Sequence, residues 1–122
     1  MTELTAPEDP DDIKIIALAR ASRTRTNAAQ GACVRDTDGR TYSATSVTLE
    51  HLALSAIQVA VAMAVSSGAA GLESVALVAR VGPTEADLAV LAELPGVGVK
   101  VWVCDWAGTV SSIIDLTSPA RR

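Results

Sequence analysis

The sequence predicts an α/β fold. Its helices lie on both faces of a mixed sheet of about four to five strands, a three-layer α-β-α arrangement in the order α-β-β-α-β-α-β-α. Three observations carry this. The turn signal Asp36-Thr37-Asp38-Gly39 separates two strand-like runs, and an Asp-Gly pair tolerates positive φ, so the pair reads as a hairpin. Beyond it, short apolar runs alternate with helical ones, the pattern of strands joined by crossover helices. Finally, residues 52–65 are apolar nearly all round, so a helix there must be covered on more than one side.

The elements follow in order. Asp11 and Asp12 open a helix reaching about Arg25, with Ile13, Ile16, Ala17 and Arg20 on one face. Acids at its start and arginines at its end suit the helix dipole. Residues 32–34 read as a first strand and residues 40–46 as its return. A long helix is expected over residues 49–67, ended by Gly68. Residues 74–79 form the next strand and residues 84–94 the next helix, closed by Pro95-Gly96. Residues 99–104 are a continuous apolar strand broken by Lys100, and residues 109–116 are expected as a short final helix.

A chain of 122 residues is one domain, placed at residues 11–118, with a disordered acidic tail at 1–10 and a second tail at 119–122. The hydrophobic share of 49% suffices for a core built from small residues, with no Phe, two Trp and one Tyr. A net charge of −4 argues against a nucleic-acid partner. Residues 52–65 fall short of the roughly 18–20 that a membrane span needs, so no membrane partner is expected. The first twelve residues are acidic and carry no apolar leader, which places the chain in the cytoplasm with its two cysteines reduced. Eight Arg against two Lys, with abundant Ala and Val, fit a bacterial source of high GC content.

Six segments in the same order resemble the cytidine deaminase family, over about residues 13–118. Gly31-Ala32-Cys33-Val34 resembles that family's Val-Gly-Ala-Ala strand, and Asp38-Gly39-Arg40 its turn into the second strand. Residues 52–61, Leu-Ala-Leu-Ser-Ala-Ile-Gln-Val-Ala-Val, resemble Leu-Thr-Val-Cys-Ala-Glu-Arg-Thr-Ala-Ile, and the run to Gly68 its Ala-Ile-x-x-Gly exit. Residues 83–94 resemble the helix headed by Pro-Cys-x-x-Cys, and residues 109–114 the Thr-Leu-x-Glu-Leu-Leu segment.

The resemblance implies a zinc-bound water, made nucleophilic by a lowered pKa, and a Glu that shuttles protons. Carried over by position, the zinc ligands fall on Ser55, Thr84 and Asp87, and the shuttle on Ile57. Hydroxyls are weak ligands for zinc, no thiolate or imidazole remains, and isoleucine moves no proton. The chain is therefore expected to hold no metal and no cofactor and to lack the catalytic residues. The ribose-binding Asn-x-Glu falls on Ser46 and Thr48, and residues 25–30 lack the aromatic that stacks on the base. A vestigial pocket at Ser46, Thr48, Ser55 and Thr84 is the candidate ligand site. The resemblance also implies a homo-dimer or homo-tetramer with the long helix paired across subunits through Ala53, Ala56, Ala60 and Ala64.

Local readings stand beside these. Thr84 and Asp87 suit an N-cap with a capping box, against a residual metal or ligand contact. Ser55 is expected to bond back to the carbonyl one turn earlier, against pairing with His51 as a nucleophile. Cys33 and Cys104 read as core thiols, Arg20, Arg23 and Arg25 as a solvated helix end, and Trp102 or Trp106 as an interface anchor. Overall this reads as a non-catalytic deaminase-like protein, an oligomeric module that binds a protein or a small ligand. The alternatives are a nucleoside deaminase or hydrolase with an unrecognised site and a metal-free nucleoside- or nucleotide-sensing binder.

Overall fold

A computed structural model of the chain describes residues 6–116. The expected tail at 119–122 and the first five residues of the tail at 1–10 lie outside the described residues. The helix α1 (Pro10–Thr26) takes in the end of the first tail: Asp9 is its N-cap, accepting from the Asp11 amide, and Pro10 sits at its first position. The strands β1 (Gly31–Asp36) and β2 (Thr41–Thr45) form the expected antiparallel hairpin, with Gly39 at φ 84°. The Asp36 carboxylate braces that turn. It accepts the amides of Asp38 and Arg40, each at 2.9 Å, and the Tyr42 hydroxyl at 2.9 Å.

The expected long helix over residues 49–67 is two things. Its first part is a small hairpin of β3 (Val47–Thr48) and β4 (Ala53–Leu54), and only α2 (Ala56–Ser66) is helical. A capping box stops the helix from extending backward. Ser55 accepts the Gln58 amide while the Gln58 side chain accepts the Ser55 amide. The strand β5 (Leu72–Val78), the helix α3 (Glu85–Ala92) and the strand β6 (Lys100–Cys104) follow as expected.

The final helix is overturned. Residues 110–115 form a strand, β7 (Val110–Asp115), antiparallel to β6. Its Val and Ile side chains are stiff at χ1 and pack well on a pleated surface. The turn before it is held by Asp105, whose carboxylate accepts the Ala107 and Thr109 amides, and by Gly108 at φ 89°.

The five-stranded sheet runs β2-β1-β5-β6-β7, with β5 and β6 the parallel pair. Side chains alternate across it. Cys33, Ala76, Val78, Trp102 and Cys104 face α1 and pack with its Ile15, Ile16 and Ala19. Ala32, Val34, Val75, Leu77, Val101 and Val103 face the other way, into the cluster that contains α2 and Leu91 of α3. Burial on both faces is why the central strands read as continuous apolar runs. The contact face of α1 is Ile15, Ile16, Ala19, Ser22 and Arg23; Ile13, expected inside, is half exposed, and Ala17 and Arg20 are exposed.

Candidate functional site

The junction of the α2 and α3 N-termini brings together three of the residues singled out above. Ser55 is the N-cap of α2 and Thr84 the N-cap of α3. Asp87, three residues into α3, is 2% exposed. Its amide donates to Thr84 Oγ1 at 3.0 Å and one carboxylate oxygen accepts the Thr84 amide at 3.1 Å, which is the expected capping box. The other carboxylate oxygen accepts the Ser55 hydroxyl at 2.5 Å. Ser55 Oγ in turn accepts the Gln58 amide at 3.1 Å. One buried carboxylate thus serves two helix N-termini, where unsatisfied amides create positive potential.

The expected back-bond of Ser55 to a carbonyl one turn earlier is overturned, because Ser55 stands before the helix rather than inside it. For the same reason His51 is not one helical turn from Ser55. It lies in the β3–β4 turn with its side chain 91% exposed, 3.9 Å from the Glu50 carboxylate. Ile57, at the second position of α2, is fully buried in the core.

The other pocket candidates divide. The Ser46 hydroxyl accepts the Gln30 amide at 3.2 Å, and the Gln30 side chain accepts the Ala56 amide at 3.1 Å, tying Ser46 to the head of α2. Thr48 is exposed on β3, paired with Ala53. Sequence reasoning missed Gln30 and Gln58. The Ser55-x-x-Gln58 spacing was a readable signal. Gln30 had none, since its partner is 26 residues away.

The donor set does not fit a zinc ion. The Ser55 and Thr84 hydroxyls are neutral, and both they and the Asp87 carboxylate are engaged with one another or with helix amides. Cys33 and Cys104 lie buried on the α1 side of the sheet, where burial pushes both thiols up to about 11. Among the described residues no group of three His, Cys, Asp or Glu side chains could hold a metal.

The site thus sits in an α/β protein with a mixed five-stranded sheet between helical layers, where the N-termini of α2 and α3 are joined through Ser55 and Asp87. Residues 8–108 match the profile described as cytidine deaminase-like, and the chain belongs to that family. Among solved structures it is similar to the cytidine deaminase of Burkholderia pseudomallei, at TM-score 0.73 and 22% identity over 84% of this chain and 91% of that one. It is also similar to that of Mycobacterium leprae, at TM-score 0.70 and 20% identity over 88% and 95%. The cytidine deaminase of Mycobacterium tuberculosis follows at TM-score 0.65 and 23% identity over 76% and 85%. No curated protein matches the chain.

Proposed function

We propose that this chain is a cytidine deaminase-like protein that does not deaminate, and that it works as an oligomeric module binding a protein or a small ligand. The observation that carries the reading is the Ser55–Asp87 hydrogen bond at 2.5 Å between the two helix heads. By the family resemblance, the junction of α2 and α3 is where a deaminase would hold its metal. Here the junction closes on itself, with the Asp87 carboxylate supplying the negative charge that the helix ends favour. Ile57 fills the place of the proton shuttle with a buried aliphatic side chain.

The oligomer is supported by α2, although not through the alanines expected to mediate it. Ala56, Ala60 and Ala64 are buried against the chain's own core, and Ala53 is on β4. The outward surface carries Ala62, Met63 and Val65, with Met63 39% and Val65 53% exposed. Such a patch suits a second copy related by a two-fold axis. No helix among the described residues is long and apolar enough to cross a membrane, and a cytoplasmic location belongs to the same proposal.

Elemental analysis of the purified protein for zinc, alongside a turnover assay with cytidine and deoxycytidine, tests the first part. The expected result is no stoichiometric zinc and no turnover above buffer. Turnover abolished by Ser55→Ala or Asp87→Ala would establish an enzyme instead. Light scattering at micromolar concentration tests the second. A dimer or tetramer dissociated by Met63→Glu is expected, and a monomer in the unaltered chain would defeat it.

A further inference from the structure

The turn between β6 and β7 holds Trp106 between two arginines. Its indole N–H donates to the Ala29 carbonyl at 3.2 Å. The Arg23 guanidinium lies 3.7 Å from the ring centroid and the Arg80 guanidinium 3.9 Å. Two positive charges therefore share one aromatic ring. Arg23 was expected in a solvated helix end, but only 8% of it is exposed. One of its terminal nitrogens donates to the Ala28 carbonyl at 2.9 Å, while its Nε is buried without a partner.

This acidic chain can pair an arginine when its fold calls for it. Arg35 takes both Asp12, at 3.1 Å, and Glu73, at 2.9 Å. Among the described residues no carboxylate makes an ion pair with Arg23 or Arg80. The ring face offsets part of the mutual repulsion of the two cations and leaves the rest.

Beside them is an open cleft of about 450 Å³, a size suited to a small ligand. Its walls include Asn27, Ala28, Gln30, Arg80, Val81 and the Trp106 indole. Exposed Arg80 lies in the wall, its fork of donors unspent on any of the described residues, and the alanines, valine and indole supply apolar surface. We propose that this cleft binds a small organic oxyanion, a carboxylate or phosphate monoester on an aromatic or aliphatic stem. The Arg80 fork takes the anionic end in two parallel hydrogen bonds, the geometry a guanidinium is built for. The stem lies against Ala28, Val81 and Trp106, and the anion relieves the repulsion between the arginines. The cleft takes in residues 27–30, part of the stretch where the resemblance puts the base-stacking aromatic, and Gln30 ties it to the head of α2; the test below reads anion binding and not deamination, so the two proposals fail separately.

Calorimetric titration of the full chain with phenyl phosphate, benzoate and neutral benzyl alcohol tests it, with tryptophan emission as a second readout. Saturable binding of at least one anion is expected, about tenfold or more tighter than the alcohol and weakened by added salt. The two anions distinguish a phosphate site from a carboxylate site. Arg80→Gln should weaken the anion about tenfold or more without changing the melting temperature, and Arg80→Lys should retain part of the affinity. Val81→Asp, at a residue 74% exposed, should weaken it through like charge and gives a second variant if Arg80→Gln folds poorly. Three results would overturn the proposal: neither anion saturating up to about 10 mM, the alcohol binding as well as the anions, or a folded Arg80→Gln or Val81→Asp protein binding them unchanged.

Discussion

The proposed function sets Ile57 in the place of the proton shuttle, and replacing Ile57 with Glu tests whether the junction has room for a carboxylate there. Ile57 is fully buried at the second position of α2, packed in the cluster that contains Ala32, Val34 and Leu91. Two costs are separable. Burying an unpaired polar end costs about 1–3 kcal/mol, and Ile57→Gln measures that part alone. Ionising the carboxyl there adds a second cost. Full burial raises a carboxyl pKa by about 3–5 units, and the α2 N-terminus returns about 1–2 kcal/mol. A net rise of about 2–3 units at about 1.4 kcal/mol each adds roughly 3–4 kcal/mol at neutral pH. The sign follows from linkage. A carboxyl whose folded value lies above its unfolded value destabilises the fold progressively as pH climbs from about 4.3 to the raised value, and the loss is constant beyond it. Ile57→Glu should therefore match Ile57→Gln near pH 4 and fall below it by about 3 kcal/mol at pH 7.5, a difference of roughly 10–20 °C in Tm. Urea melts of the wild type and both variants at the two pH values measure this. Equal midpoints for Ile57→Glu and Ile57→Gln at pH 7.5 would refute the reasoning, because they would mean that the position is solvated and a pocket persists.

Three further predictions concern the frame around the junction. Burial alone would push the Asp36 carboxyl up, but the Arg40 amide, the Tyr42 hydroxyl and the Asp38 amide outweigh it and hold the group below its ordinary 3.8. Its contribution is therefore present above that value and disappears as pH falls through the lower folded value. Tyr42→Phe should cost about 1–2 kcal/mol at pH 6 and progressively less in acid, read from urea midpoints between pH 6 and pH 2.5; a cost that does not change with pH counts against the brace. Cys33 and Cys104, both fully buried and pushed up to about 11, should resist a thiol-exchange reagent at pH 8 in the native protein and react fully in denaturant. Rapid native labelling of either thiol would contradict the packing of α1 on the sheet. Gly31→Ala places a methyl group against the Ala19 carbonyl oxygen and 2.9 Å from the Arg23 Cβ. Overpacking of this kind costs about 1–3 kcal/mol, so an unchanged Tm would show that α1 moves freely over β1.

What could be read from the chain alone was what its neighbours along the chain satisfy. The Asp36–Gly39 turn is completed by amides two and four residues away, and the Thr84–Asp87 cap by groups three residues apart. The same held for Ser55 and Gln58, yet the apolar run of residues 52–65 outweighed their capping box and made one helix of a hairpin and a helix. Central strands announced themselves because both faces are buried, so their inner stretches, residues 32–34, 75–78 and 101–104, are apolar throughout. The last strand carried a local signal too, in the β-branched Val110, Ile113 and Ile114, which the expected helix set aside, and pairing with β6 fixes it as a strand.

The junction itself belongs to tertiary structure. Ser55 and Asp87 are 32 residues apart, and nothing local to either foretells that one carboxylate will serve both helix heads. Arg23 and Trp106 meet in the same way, a helix end and a turn brought together by the packing of α1 over the sheet. Composition and resemblance could say which side-chain types stand at which positions. Which groups then bond to one another depends on the distances between elements, and packing sets those only after the chain has closed on its core.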